Sequence, residues 1–327
     1  MQANETMRKI EELMQPSLNS AQMKRLVKVL EYCFFEESFD ELDDAGVDNQ
    51  TLLERFIASK KLEGCSDRSM KYYRSILVPF LSKVAGDVRS TTTDAIRSYL
   101  IEYRENSKAG QTTLDNIRRV ISSFFAWLEN EDYILKSPAR RIKKIKCPEV
   151  VKNVYTEDEI ETLRDGCSTM RDLAIIDLLK SSGIRVGELV GLNISSIDLN
   201  NRECRVVGKG NKERVAYFDS RTKIHIEAYL ASRDDADEAL FVSLKAPHAR
   251  LQASGVETLL RKLGRKLGVV RVHPHKFRRT LATRAIDKGM PIEQVQVLLG
   301  HKKIDTTMHY ALVDQSNVKA SHSRYIA

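Results

Sequence analysis

Glu203-Cys204-Arg205-Val206-Val207-Gly208-Lys209-Gly210-Asn211-Lys212-Glu213-Arg214-Val215-Ala216-Tyr217-Phe218 is where the hydrophobic period of this sequence changes from helical to extended. Two β-rich runs, 203–208 and 213–218, flank a Gly/Asn turn of the kind that closes a hairpin. Upstream, Arg185-Val186-Gly187-Glu188-Leu189-Val190 starts a helix, and a strongly apolar helix, Leu173 to Leu179, ends near Gly183. Before that, Thr156-Glu157-Asp158-Glu159 is a capping box that launches a helix to about Arg164. Downstream of the hairpin the chain reads as helical to its end. Residues 154–327 are therefore expected to form a mainly α domain with a small antiparallel sheet.

The other half shows no strand alternation. Helices are predicted for Leu52–Lys61, for Ser69–Ala85 with Ser66 as N-cap, and for a third segment that follows Thr91-Thr92-Thr93-Asp94 and runs to about Asn106. A fourth, Thr113–Glu129, carries Ile117, Val120, Ile121, Phe124, Phe125 and Leu128 at helical spacing. Residues 47–135 thus read as a small all-helical domain. Between the two lies a basic linker, 136–153, with Lys136, Arg140, Arg141, Lys143, Lys144, Lys146 and Lys152 against only Glu149. Residues 1–46 read as one or two polar helices, with an apolar stripe at Leu26, Val27, Val29 and Leu30 and a stop at Asp44-Ala45-Gly46. A length of 327 residues suits two domains plus such a leader.

Charge is distributed unevenly. The chain carries 53 Lys and Arg against 45 Asp and Glu, a net +8. Residues 1–46 hold ten acids against five bases, so the remainder carries +13. A basic body behind an acidic leader fits a polyanionic partner, most simply nucleic acid. A basic linker between two basic domains then suits tracking of a phosphate backbone. No apolar run reaches the ~18 residues of a membrane span, and the acids near Met1 exclude a signal peptide. The five cysteines are scattered without a C-x-x-C pair, which speaks for a reducing cytoplasm and against a disulfide scaffold.

Common catalytic motifs are missing: no phosphate-loop signature, no dinucleotide fingerprint, no H-E-x-x-H and no G-x-S-x-G. Gly208-Lys209-Gly210 lies in a hairpin turn, so no helix N-terminus follows it to hold a phosphate. His273-Pro274-His275 lacks a third ligand and is followed by Arg278 and Arg279, so no metal site is expected. What remains is a set of cations and a phenol: Arg185, Lys209, His275, Arg278, His301 and Tyr310. Singly, each has an ordinary structural explanation, such as a helix cap, a hairpin tip or a core histidine.

Together they do not. Ser182-Gly183-Ile184-Arg185-Val186-Gly187-Glu188-Leu189, Gly208-Lys209-Gly210-Asn211-Lys212-Glu213-Arg214, His273-Pro274-His275-Lys276-Phe277-Arg278-Arg279, Leu298-Leu299-Gly300-His301 and Thr306-Thr307-Met308-His309-Tyr310 follow one another in this order. In these segments the sequence resembles the tyrosine site-specific recombinases, the phage integrase and Xer family. The steps of 24 residues from Arg185 to Lys209, 3 from His275 to Arg278 and 9 from His301 to Tyr310 agree with that family. The likeness runs from about residue 50 to the end and sharpens from about 155. Arg279 departs from the His that many members carry there, at a position that is not catalytic. Residues 1–46 match no part of the family.

The resemblance implies a helical core-binding domain and a catalytic domain that form a clamp around DNA. It implies Tyr310 as nucleophile, forming a 3′-phosphotyrosyl link, and Lys209 as the general acid for the 5′-hydroxyl leaving group. Arg185 and Arg278 would clamp the phosphate oxygens, His275 would assist proton transfer from Tyr310, and His301 would hydrogen-bond the scissile phosphate. Glu188 reads as an orienting carboxylate. Neither metal, ATP nor other cofactor is called for. The expected partners are double-stranded recombination sites, bound by a homotetramer through a Holliday junction, with room for an accessory directionality factor and none for a membrane. A cytoplasmic, nucleoid-associated enzyme follows. Lys71, Arg74, Arg118 and Arg119 on the first domain's helices, and Arg140, Arg141, Lys143 and Lys144 in the linker, are candidate DNA contacts. The rivals are a DNA-binding protein without catalysis (a repressor or decayed recombinase), a type IB topoisomerase, and a metal-dependent nuclease. All six positions hold the useful residue, the tail is long, and clustered acids are lacking, which favours the recombinase.

Overall fold

The protein is described by a computed structural model covering residues 2–18, 20–35, 47–84, 86–147, 153–208 and 212–308. The chain divides into two compact units, residues 1–150 and 151–327.

Among its described residues the first unit contains helices and connecting turns but no strand. Helices α1 (Gln2–Met14) and α2 (Ser20–Phe35) pack on each other. Of the expected stripe, Leu30 is buried and Leu26 and Val27 are half-buried, while Val29 faces solvent. The stop expected at 44–46 lies outside the described residues. Next come α3 (Asn49–Leu62), α4 (Asp67–Lys83), α5 (Thr93–Ser107) and α6 (Gln111–Asn130). The starts of three are set by side chains that accept from amides otherwise left unsatisfied: Asp48 for α3, Ser66 for α4 and Thr92 for α5. The core gathers the apolar faces of all four, with Phe56 and Phe124 edge to face at 5.3 Å between centroids.

The basic stretch after α6 is partly built into this unit. A 3₁₀ turn, Pro138–Arg141, buries Ala139, and the hydroxyl of Thr93 donates to the Pro138 carbonyl at 2.8 Å. Ile142 and Ile145 pack on the same core. The carboxylate of Asp115 accepts from Arg118 Nε at 2.8 Å and from the Ile145 amide at 3.0 Å, fixing the departing chain to α6. Arg118 beside it holds the Asp115 carboxyl below its ordinary range. The stretch expected as linker is thus anchored as far as Ile145.

The second unit opens with α7 (Glu157–Asp165), whose Thr156–Glu159 capping box is present. Helix α8 (Met170–Ser182) is buried on most of its circumference and packs against α10 (Ser220–Ala231) and α12 (Pro274–Asp287). The short α9 (Val186–Val190) leads to an antiparallel sheet of β1 (Ile197–Asp198), β2 (Glu203–Gly208) and β3 (Lys212–Tyr217) in sequence order. Cys204 pairs with Ala216 and Val206 with Arg214, and Cys204, Val206 and Ala216 turn inward while Val207, Val215 and Tyr217 face out. Helices α11 (Ala253–Leu267), α13 (Ile292–Leu299) and α14 (Ile304–Met308) complete the described part.

Two features depart from expectation. Strand β1 is an addition, too short to show alternation. The chain after the hairpin is not continuously helical either, since 232–252 carries no helix. There Arg233 binds Asp235 and the carbonyls of Asp237, Ala239 and Leu240, holding an irregular path while Ala239–Val242 enter the core. Among the described residues no helix is long and apolar enough to cross a membrane.

Candidate active site

Two helices end in left-handed glycines close to one side chain. Gly183 closes α8 at φ +60° and Gly300 closes α13 at φ +64°, a conformation that L side chains rarely adopt. Neither position has room for more: a Cβ on Gly183 would come within 2.6 Å of Leu281 Cδ2, and one on Gly300 within 2.6 Å of Arg214 Cδ. Arg278, only 1% exposed, projects from α12 between these two ends. Its Nη1 donates to the Gly183 carbonyl at 2.7 Å and its Nη2 to the Leu299 carbonyl. Carbonyls at two helix C-termini, the negative ends of two dipoles, thus compensate burial of the guanidinium.

Arg185 follows Gly183 by two residues and occupies the N-cap position of α9. Its amide donates to Glu188 Oε2 at 2.8 Å and its Nη1 to Glu188 Oε1 at 2.7 Å. Glu188 Oε2 also accepts from Arg214 Nη2 at 2.8 Å. Burial of Glu188 opposes its ionisation. The Arg185 amide and the guanidiniums of Arg214 and Arg185 outweigh that, holding the carboxyl below its usual range. Glu188 is therefore an ionised bracket for two arginines. Arg185 remains partly exposed, and its Nη2 reaches the Gly300 carbonyl at 3.4 Å.

His301 follows Gly300, half-buried, with Nδ1 2.8 Å from the hydroxyl of Thr307. Burial, then the charges of Arg278, Arg185, His275 and Arg214, lower its pKa from 6.5 to about 4, so the ring is neutral at physiological pH. His275 itself is exposed on the first turn of α12. Four of the six expected catalytic residues, Arg185, His275, Arg278 and His301, therefore belong to one cationic cluster. The other two, Lys209 and Tyr310, lie outside the described residues. Among the described residues no three His, Cys, Asp or Glu side chains are placed to hold a metal ion.

The expected DNA contacts divide. Arg74 is paired with both carboxylate oxygens of Glu54, Arg118 with Asp115, and Arg140 reaches Glu129 at 3.7 Å. Lys71, Arg141 and Lys144 are exposed, and Arg119 and Lys143 lie at the surface of the same unit. Sequence reasoning assigned no task to Arg214 or Thr307, although both stand inside the family-like segments. No periodicity points to them, because their partners are reached only through the fold.

The phage integrase family matches residues 153–317, and the phage integrase N-terminal SAM-like domain matches residues 52–135. Over 281 residues the chain is 30% identical to the tyrosine recombinase XerC of Thermodesulfovibrio yellowstonii, an alignment covering 81% of this chain and 92% of that one. Identity to XerC of Myxococcus xanthus is 32% over 284 residues, 80% of this chain and 93% of the relative. The XerH recombinase, solved on a palindromic difH substrate after cleavage, has the same fold. The TM-score is 0.67 at 19% identity, across 97% of this chain and 94% of XerH.

Proposed function

Since this chain belongs to the phage integrase family, we propose that it cuts and rejoins DNA at specific sites through a phosphotyrosine at Tyr310. The observation that carries this is the cluster of Arg185, Arg278, His275 and His301, in which two helix ends hold Arg278 and Glu188 holds Arg185. A phosphodiester is anionic, and attack adds charge to its non-bridging oxygens. Preorganised guanidiniums lower the energy of that charge. Arg185 and Arg278 supply them.

The Tyr310 oxygen attacks phosphorus, and its proton passes toward His275. As the phosphorus–5′-oxygen bond breaks, Lys209 protonates the departing alkoxide, which would otherwise be a poor leaving group. Neutral His301 donates to a phosphate oxygen. The phosphotyrosyl ester keeps the bond energy of the original diester. A 5′-hydroxyl from a second duplex can therefore attack it, and rejoining consumes no ATP.

Exchange between two sites requires several active sites together, so the working unit is a homotetramer that passes through a Holliday junction. An accessory protein can then set direction. The first unit contributes Lys71, Arg119, Arg141, Lys143 and Lys144 to the duplex phosphates. A cytoplasmic site of action at the nucleoid follows from the substrate. The roles open to such an enzyme run from chromosome-dimer resolution to integration of a mobile element and inversion.

The test is to incubate tiled DNA fragments from the flanks of the protein's own gene with the wild type and with Tyr310→Phe, with EDTA throughout. A detergent-resistant protein–DNA adduct with wild type alone is the expected result. Tight binding of one fragment by both proteins without an adduct would favour a non-catalytic DNA-binding protein.

A further inference from the structure

Arg214 breaks the pattern of its own strand. Opposite residues of an antiparallel pair share a face, and Arg214 lies opposite Val206, which is buried. A guanidinium on the inward face of a small sheet is unfavourable unless its donors are met. Both terminal nitrogens find acceptors at distant points of the chain, while the buried Nε finds none among the described residues. Nη2 donates to Glu188 Oε2 at 2.8 Å, across 26 residues of sequence, and Nη1 donates to the Leu298 carbonyl at 3.0 Å, across 84.

Its stem also fits against Gly300. A Cβ there would come within 2.6 Å of Arg214 Cδ and 2.8 Å of its Nε. One side chain therefore joins β3, the turn of Arg185 and Glu188, and the end of α13 that precedes His301. Its strand is also one arm of the hairpin that carries Lys209. A lysine could not replace it, because one ammonium cannot reproduce a planar fork aimed at two acceptors.

We propose that Arg214 is a positioning residue for the cleavage step. It ties the Lys209 hairpin to Arg185 and to His301, so that phosphate-binding groups and acid form one frame. Arg214 acts through Glu188 and the α13 end and does not touch DNA. This rests on the function proposed above.

The test uses the full chain and the DNA fragment that gives an adduct with wild type. Arg214→Lys keeps the charge and loses the fork. Three quantities are read for it: single-turnover adduct rate, equilibrium affinity for that fragment, and thermal midpoint. Where it does not fold, the paired change Arg214→Met with Glu188→Gln removes both charges and takes its place. The adduct rate is expected to fall by about 100-fold, the scale of a 1 Å misplacement, with affinity within about threefold of wild type. Adding Glu188→Gln to Arg214→Lys should cost little more than the larger single loss, because both act through one bracket. A variant within about threefold of wild-type rate would overturn the proposal, as would a rate loss matched by an equal loss of affinity or of folded protein. Absence of an adduct with wild type itself would instead count against the function.

Discussion

The buried hydroxyl of Thr307 lies 2.8 Å from Nδ1 of His301, on the short helix that leads toward Tyr310. A neutral imidazole has one N–H. For Nε2 to carry it and donate to a phosphate oxygen, Nδ1 must accept, so the Thr307 hydroxyl must donate. Thr307→Val keeps the shape and removes that donor. It is expected to lower the adduct rate about tenfold or more with unchanged DNA affinity, while Thr307→Ser stays near wild type. Equal rates for Val and Ser would show that the hydroxyl does not set the ring.

The same histidine gives a pH signature. Its pKa in the folded protein is depressed to about 4, so as pH falls below the ordinary 6.5 the unfolded chain takes up a proton first. Stability from this group is present above about pH 6.5 and is lost on the way down to about 4. Thermal midpoints measured from pH 7 to 4.5 should fall, and His301→Gln should flatten the slope. An identical slope in the variant would contradict the depressed value.

Gly300 and Gly64 separate backbone strain from crowding. Both have positive φ, +64° and +82°, but a Cβ on Gly64 meets nothing within 4 Å, whereas one on Gly300 meets Arg214. Gly64→Ala is expected to cost about 1–2 kcal/mol and leave cleavage unchanged. Gly300→Ala should cost more than that and also slow adduct formation, because Arg214 must move. Chemical denaturation alongside the adduct assay distinguishes them, and equal behaviour of the two variants would remove the crowding explanation.

Much of this was legible in the sequence, for local reasons. The Thr156–Glu159 box, the cap at Ser66, and the end of α8 at Gly183 are written within a few residues. The period change at 203–218 located β2 and β3 to within a residue. What was not legible is non-local. Nothing near Arg214 announces Glu188 or Leu298, and the path of 232–252 depends on Arg233 collecting carbonyls that no periodicity encodes. The anchoring of 138–145 to α6 was hidden because Asp115 reads as an ordinary helix acid until Ile145 is brought to it. Arg74 and Arg118 illustrate the converse: charge on a helix predicts exposure, yet each has a carboxylate partner within its own unit.

Arg140, Arg141, Lys143 and Lys144 lie at the surface of the anchored stretch. Changing all four to Gln should weaken DNA binding. It should also reduce the slope of log affinity against log salt by about 0.9 for each phosphate that is no longer neutralised. A filter-binding series at several salt concentrations checks this. An unchanged slope would place these residues away from the backbone.

The most direct measurement identifies the covalent bond. The wild-type adduct is digested with nuclease and trypsin, and the modified peptide is sequenced by mass spectrometry. Cleavage after Lys303 and Lys319 releases a peptide whose one tyrosine is Tyr310. A nucleotide joined through its 3′-phosphate to that tyrosine is the predicted result. A link on any other side chain, or through a 5′-phosphate, would contradict it.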